Sequence, residues 1–148
     1  MGHCLKGDPI PDEDHVARHC SPKLLEIRDE KVVGFLAAAF CPDDEGVSVT
    51  WLEYFEGTHD ERLSRVRQVI RDTRTVRSSH HMGVARVGAI RAAGHKIGID
   101  VTVEHDPIEE PATDRNPAHA LIKNIPNEGF ELMELIAAEV VALQVIII

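Results

Sequence analysis

Aromatic side chains make up only 4% of the 148 residues, with a single tryptophan and a single tyrosine. None of them stands among the arginines in the middle of the chain, which argues against a stacking platform for single-stranded nucleic acid. Cysteine is scarce too. Cys4, Cys20 and Cys41 are odd in number and widely spaced, so they form no disulfide framework and read as reduced thiols of a cytoplasmic protein. Walker, GxGxxG, GxSxG, HExxH, EF-hand and CxxC motifs are missing, and with them any direct sequence signature of a cofactor. The opening MGHCLKGD is too polar for a signal peptide and carries Lys6 where a myristoylation signal needs Ser or Thr. The apolar run ELMELIAAEVVALQVIII is interrupted by Glu131, Glu134 and Glu139, charges costly in lipid, so it reads as a core helix or a helix plus strand and no membrane partner is expected.

What is present is enough for one domain. At this length folding buries roughly 68–70% of the unfolded chain's surface, and 43% hydrophobic residues supply a core without metal or disulfides. Residues 1–14, with Pro9 and Pro11, read as an irregular arm, and residues 15–148 as a single globular domain. The net charge of −9 is unevenly distributed. Residues 61–96 carry nine basic groups against Glu61 and Asp72, a net of +7, while the segments before and after each carry −8. One reading is mutual neutralisation across the surface; the other is a basic face for phosphate or an acidic protein. Non-specific duplex binding is disfavoured, because the acidic flanks repel the same backbone.

Periodicity points to α+β: a mostly antiparallel sheet with an Arg-rich amphipathic helix and a C-terminal helix packed on one face. KVVGFLAAAF (31–40) and GVSVTWLEY (46–54) read as strands joined by the turn CPDDEG, with Trp51 on the buried face. Thr58 and Glu61 form a capping box ahead of a helix of about three to four turns carrying Leu63, Val66, Val69 and Ile70 on one stripe. VARVGAI (84–90) and IGIDVTV (97–103) read as a hairpin turning at Gly94. Residues 105–118 read as a loop, HALI (119–122) as a short strand, and Glu128 to about Leu143 as the last helix.

Candidate chemistry rests on histidines. On a helix, His15 and His19 of DHVARHC would share one face at metal-ligand spacing, but further ligands cannot be placed, so no metal is expected. His105 ends a strand at the rim of a core face, where an imidazole suits proton transfer. In NPAHA, Asn116 before Pro117 is held extended and can form an Asx turn that aims His119. If HALI pairs beside IGIDVTV, the two imidazoles meet at one site. Catalytic candidates are therefore His15, His105 and His119, and substrate-binding candidates Arg18, Ser48, Trp51, Asp106 and Asn116. SSHH (78–81) reads as a solvated linker. Cys20, beside His19 and Arg18, is either a lowered-pKa thiolate or a small core hydrophobe.

The order DHVARHC, AAAF with its turn, GVSVTWLEYF, HDP and NPAHA resembles that of small bacterial proteins of unassigned function, across residues 14–122, and implies no activity. The HxxR segment ahead of an antiparallel hairpin is also loosely similar to ADP-ribosyl-transferring folds; that likeness implies a phosphate contact at Arg18 and a cleft-lining role for Ser48. Two functions are expected to compete. The first is a cytoplasmic interaction module, binding a protein partner or a second copy through the Arg-rich helix or the apolar C-terminal segment. The second is an enzyme acting on a nucleotide or phosphorylated substrate.

Overall fold

The computed structural model describes residues 6–147. It is α+β: a six-stranded antiparallel sheet, a separate two-stranded hairpin and three α-helices. The strands are β1 (His15–Cys20), β2 (Leu25–Arg28), β3 (Lys31–Phe35), β4 (Val47–Trp51), β5 (His81–Arg86), β6 (Thr102–His105), β7 (His119–Lys123) and β8 (Val141–Gln144); the helices are α1 (His59–Thr73), α2 (Val87–Lys96) and α3 (Phe130–Ala137). The main sheet runs β6-β7-β4-β1-β5-β8.

The helices divide between its two faces rather than sharing one. Successive strand residues point to opposite sides, so Val16 and Ala17 of β1 belong to different cores. Val16, Val47, Val49 and Ile122 pack with α2 and α3. Ala17, Met82 and Val84 pack with Leu63, Val66 and Ile70 of α1. The Arg-rich helix thus has a face of the sheet to itself.

Several expected elements hold: Val47–Trp51 with Trp51 buried, HALI as β7, its pairing with β6, and α1 behind a complete capping box. Others are corrected. KVVGFLAAAF is strand only to Phe35; Ala37–Phe40 is a 3-10 turn. β3 pairs with β2, not β4, because Asp29 and Glu30 take positive φ and close a two-residue hairpin ahead of it. The expected 84–103 hairpin is instead the end of β5, α2 and then β6. Val87, Ile90, Ala93 and Gly94 fall on one helical face that buries itself, and Gly94 lies inside the helix rather than at a turn. The last helix stops at Ala137, and Val141–Gln144 returns as the sheet-edge strand β8.

The two sheet edges differ. β6 is covered by the N-terminal arm: Gly7 N–H donates to the His105 carbonyl (2.7 Å), His105 N–H to Asp8 (2.9 Å) and Ile10 N–H to Val103 (2.9 Å), with Ile10 buried. β8 has no outer strand partner among the described residues. No described helix is long and apolar enough to cross a membrane.

Candidate functional site

DHVARHC is a strand, so His15 and His19 share a face by parity but stand about 13 Å apart along it, too far to ligate one ion. Each has its own partner. His15 Nδ1 meets Glu53 Oε2 at 2.8 Å, and the other Glu53 oxygen accepts the His15 backbone N–H at 2.7 Å. His19 Nε2 bonds His80 Nδ1 at 2.9 Å. No group of three or more His, Cys, Asp or Glu suited to a metal occurs among the described residues.

The expected meeting of His105 and His119 does not occur. β6 and β7 do pair, but the register sets His105 opposite Ala120, so adjacent His119 takes the other face. His105 lies on the α2/α3 side, edge-on to Trp51 (centroids 5.3 Å apart), donating from Nε2 to the Pro117 carbonyl at 2.8 Å. Its Nδ1 is buried with no hydrogen-bond partner. Trp51 in turn donates its indole N–H to Asp14 (2.9 Å). Neither ring reaches the other face.

Arg18 also faces away from His119. Its Nε donates to the Ala39 carbonyl (2.9 Å) and Nη1 to the Ser48 carbonyl (3.0 Å), which makes it a clamp between β1, β4 and the 3-10 turn rather than a phosphate ligand. Burial pushes the Cys20 thiol above its ordinary pKa, opposite to an activated thiolate. Cys41 is exposed, and Cys4 lies outside the described residues.

On the α1 side, other candidates do come together. His119 stands opposite Thr50 across the β7–β4 pair, and Thr50 opposite Ala17 across β4–β1. Ser48 and His19 lie one step along on the same face. They line a cavity of about 70 Å³ closed by Val69, Ile70 and Thr73 of α1 and by Arg74, which caps its C-terminus, with Asn116 beside His119. Two of the side chains, Thr50 and His119, are buried strand residues; the third buried polar group, Asn116, lies in the loop before β7.

Their orientation follows from the NPAHA turn. Asn116 Oδ1 accepts the Ala118 N–H (3.0 Å), the Asx turn expected from the sequence, while its Nδ2 donates to Thr50 Oγ1 (3.1 Å). Because Oγ1 is the acceptor there, the Thr50 hydroxyl hydrogen is left to donate elsewhere. His119 Nδ1 lies 2.8 Å from the Asp106 carbonyl and 3.2 Å from its carboxylate. A carbonyl cannot donate, so Nδ1 carries the hydrogen and Nε2 is the basic nitrogen of the neutral ring. Asp106 is held on its other side by Lys6, at 3.3 Å.

The cleft's charge is of one sign. Arg74 lines it beside the His19 and His119 rings and no carboxylate does, while the Arg18 guanidinium is taken up by the Ala39 and Ser48 carbonyls. His19 registers the resulting field: burial first, then His80, Arg74 and Arg18, lower its pKa from 6.5 to about 4. In a chain of net charge −9, this is a hydroxyl-rich recess with Arg74 at its lining and no carboxylate. Sequence reasoning named Ser48, Asp106, Asn116 and His119, but missed Thr50 and Arg74 as site residues. The strand alternation that placed Trp51 inside also placed Ser48 and Thr50 together on the opposite face. Scans against family models, curated proteins and solved structures find no match to this chain.

Proposed function

We propose that the chain is an enzyme acting on a phosphate-bearing small molecule, a nucleotide or phosphorylated metabolite, held at the cleft beneath α1. The observation that carries this reading is His119, tethered through Nδ1 to Asp106 and lining a carboxylate-free recess. The cavity has room for several waters or one tetrahedral oxyanion, so the phosphate would enter and the rest of the molecule lie across the lip. Arg74 and the Thr50 hydroxyl would bind its oxygens. His119 Nε2 would take a proton from a water or acceptor hydroxyl, and the imidazolium so formed would be stabilised by Asp106. Arg71 and Arg74 offset the negative end of the α1 dipole at the same place. A reducing cytoplasm suits the buried Cys20 and exposed Cys41 thiols.

The test is thermal shift of the purified chain against nucleoside phosphates and sugar phosphates, followed by phosphorus NMR of any stabilising compound. A compound should raise the wild-type melting temperature, lose that effect with Arg74→Gln, and bind but not turn over with His119→Gln. No stabilisation of wild type by any compound, or undiminished turnover by His119→Gln, overturns the proposal.

A second reading, the interaction module, is favoured by one observation. The Arg-rich helix and the C-terminal strand form a single surface: Arg67 Nε donates to the Gln144 carbonyl (2.9 Å) and Arg71 Nη1 reaches that of Val145 (3.5 Å), beside the open edge of β8 and exposed Val141. Such an edge would take an extended acidic segment of a partner protein by strand addition. A fluorescent peptide of alternating Glu and Val should then bind with strong salt dependence and lose affinity to Val141→Lys; salt-independent or unaltered binding removes this reading.

A further inference from the structure

At the opposite end of α1 from the phosphate cleft lies a larger recess of about 470 Å³, within the range of small-molecule pockets. Its walls are mostly apolar, with Leu63 of α1, Val84 and Ala85 of β5, and Val141 and Leu143 of β8, and His59, Arg86 and Glu139 complete the lining beside His15. His15 stands in this lining and is half-buried. Its ring is gripped from one side only. The Glu53 carboxylate accepts from Nδ1 at 2.8 Å and from the His15 backbone N–H at 2.7 Å, so the same carboxylate fixes both the ring and the strand that carries it. Nε2 is then the ring's basic nitrogen, the arrangement of a carboxylate-oriented general base, here at the wall of an apolar recess. His59 lies edge-on to the His15 ring with centroids 5.2 Å apart.

We propose that this recess is a second binding site, for a small molecule with an apolar ring and a weakly acidic hydroxyl, that is, a phenol, and that His15 accepts its proton. The ring packs against the aliphatic side chains of Leu63, Val84, Val141 and Leu143. The phenolic O–H bond breaks, the proton passes to His15 Nε2, and the electron pair remains on the phenolate oxygen. The imidazolium formed is held by Glu53. His59 of α1 and Arg86 of β5 line the same recess and favour the phenolate, and Glu139, after α3, is the opposing charge. An aliphatic alcohol would lack the acidity to give up its proton there, and a carboxylic acid would arrive already ionised, so the phenol is the class that the base and the apolar walls select together. These residues are separate from those of the phosphate cleft, and the two proposals stand or fall independently.

The probe is 4-nitrophenol, whose visible absorbance reports its own ionisation. Titrated with the full-length protein at a pH below its free ionisation midpoint, it should bind saturably and show about tenfold more phenolate relative to phenol than in buffer, equivalent to a one-unit fall in that midpoint. His15→Gln should retain binding and lose the extra phenolate; Glu53→Gln, which keeps the ring, should give an intermediate effect. Val141→Trp fills the recess from an exposed edge position that tolerates a large side chain, and should abolish binding with an unchanged circular dichroism spectrum. Lys31→Gln, exposed on the separate hairpin, should leave binding and phenolate fraction unchanged. Absence of saturable binding, unchanged phenolate in His15→Gln, or undiminished binding by Val141→Trp would each overturn the proposal.

Discussion

His19 and Asn116 are polar groups lining the cleft beneath α1, and each makes stability depend on a specific bond. His19 is kept neutral in the folded protein to about pH 4, because burial and the neighbouring His80, Arg74 and Arg18 all disfavour its charge. In the unfolded chain it takes up a proton near its ordinary 6.5. Between those values the unfolded state binds more protons, so the folded state should lose stability as pH falls from about 6.5 towards 4. His19→Gln should flatten that part of the melting-temperature profile, and an equally steep profile in the variant would contradict the assignment. Occupation of the cleft by phosphate reverses the local field, so phosphate should protect wild type most at the acid end of this window. Asn116 supplies two bonds with one side chain. Asn116→Ala leaves the Ala118 N–H and the Thr50 hydroxyl without those partners and should cost about 1–3 kcal/mol in urea unfolding, with the slope unchanged.

Local signals at the level of elements were legible where one short stretch contained the whole device. The α1 capping box is such a case: Thr58 Oγ1 accepts from Glu61 N–H at 3.2 Å and Glu61 Oε1 from Thr58 N–H at 2.9 Å, and Thr58→Ala should lower stability by about 1 kcal/mol. The NPAHA turn is another, since an Asx turn needs only residues two apart. RVGAIRAAGHK was misread because Gly94 has two physical uses. As a turn residue it would supply positive φ; as a helix residue it supplies the absence of a Cβ. The second applies here, for a Cβ at Gly94 would lie 2.5 Å from the Ile99 carbonyl oxygen and 2.7 Å from Val101 Cγ2. Helix propensity alone makes Gly→Ala stabilising by about 1 kcal/mol. Gly94→Ala should instead destabilise, by about 1–3 kcal/mol, because the backbone of the following segment has to retreat. A gain in the urea midpoint would show that the close approach is not needed.

Across the whole molecule, what could not be read from the sequence is which strands are neighbours. β1 lies in the middle of the sheet between β4 and β5, partners more than thirty residues away, and that placement, not the local patterns of DHVARHC or HDP, decides which histidines meet. A single-residue step between His105 opposite Ala120 and His119 opposite Thr50 separates two imidazoles that a linear reading put together. The same topology leaves two edges with different protection. The arm closes β6 by donating at Gly7 and Ile10, accepting at Asp8, and burying Ile10. Deleting residues 1–10 would uncover the backbone carbonyls of Val103 and His105 and the His105 N–H, beside an apolar gap where Ile10 had packed. An uncovered edge of this kind pairs with another chain. The truncated protein should therefore show concentration-dependent association by light scattering that the full-length chain at the same concentration does not, with both retaining the α1 core as judged by the His19 pH profile. A truncated chain that stays monomeric and folded at high concentration would mean that the arm packs on β6 without guarding it.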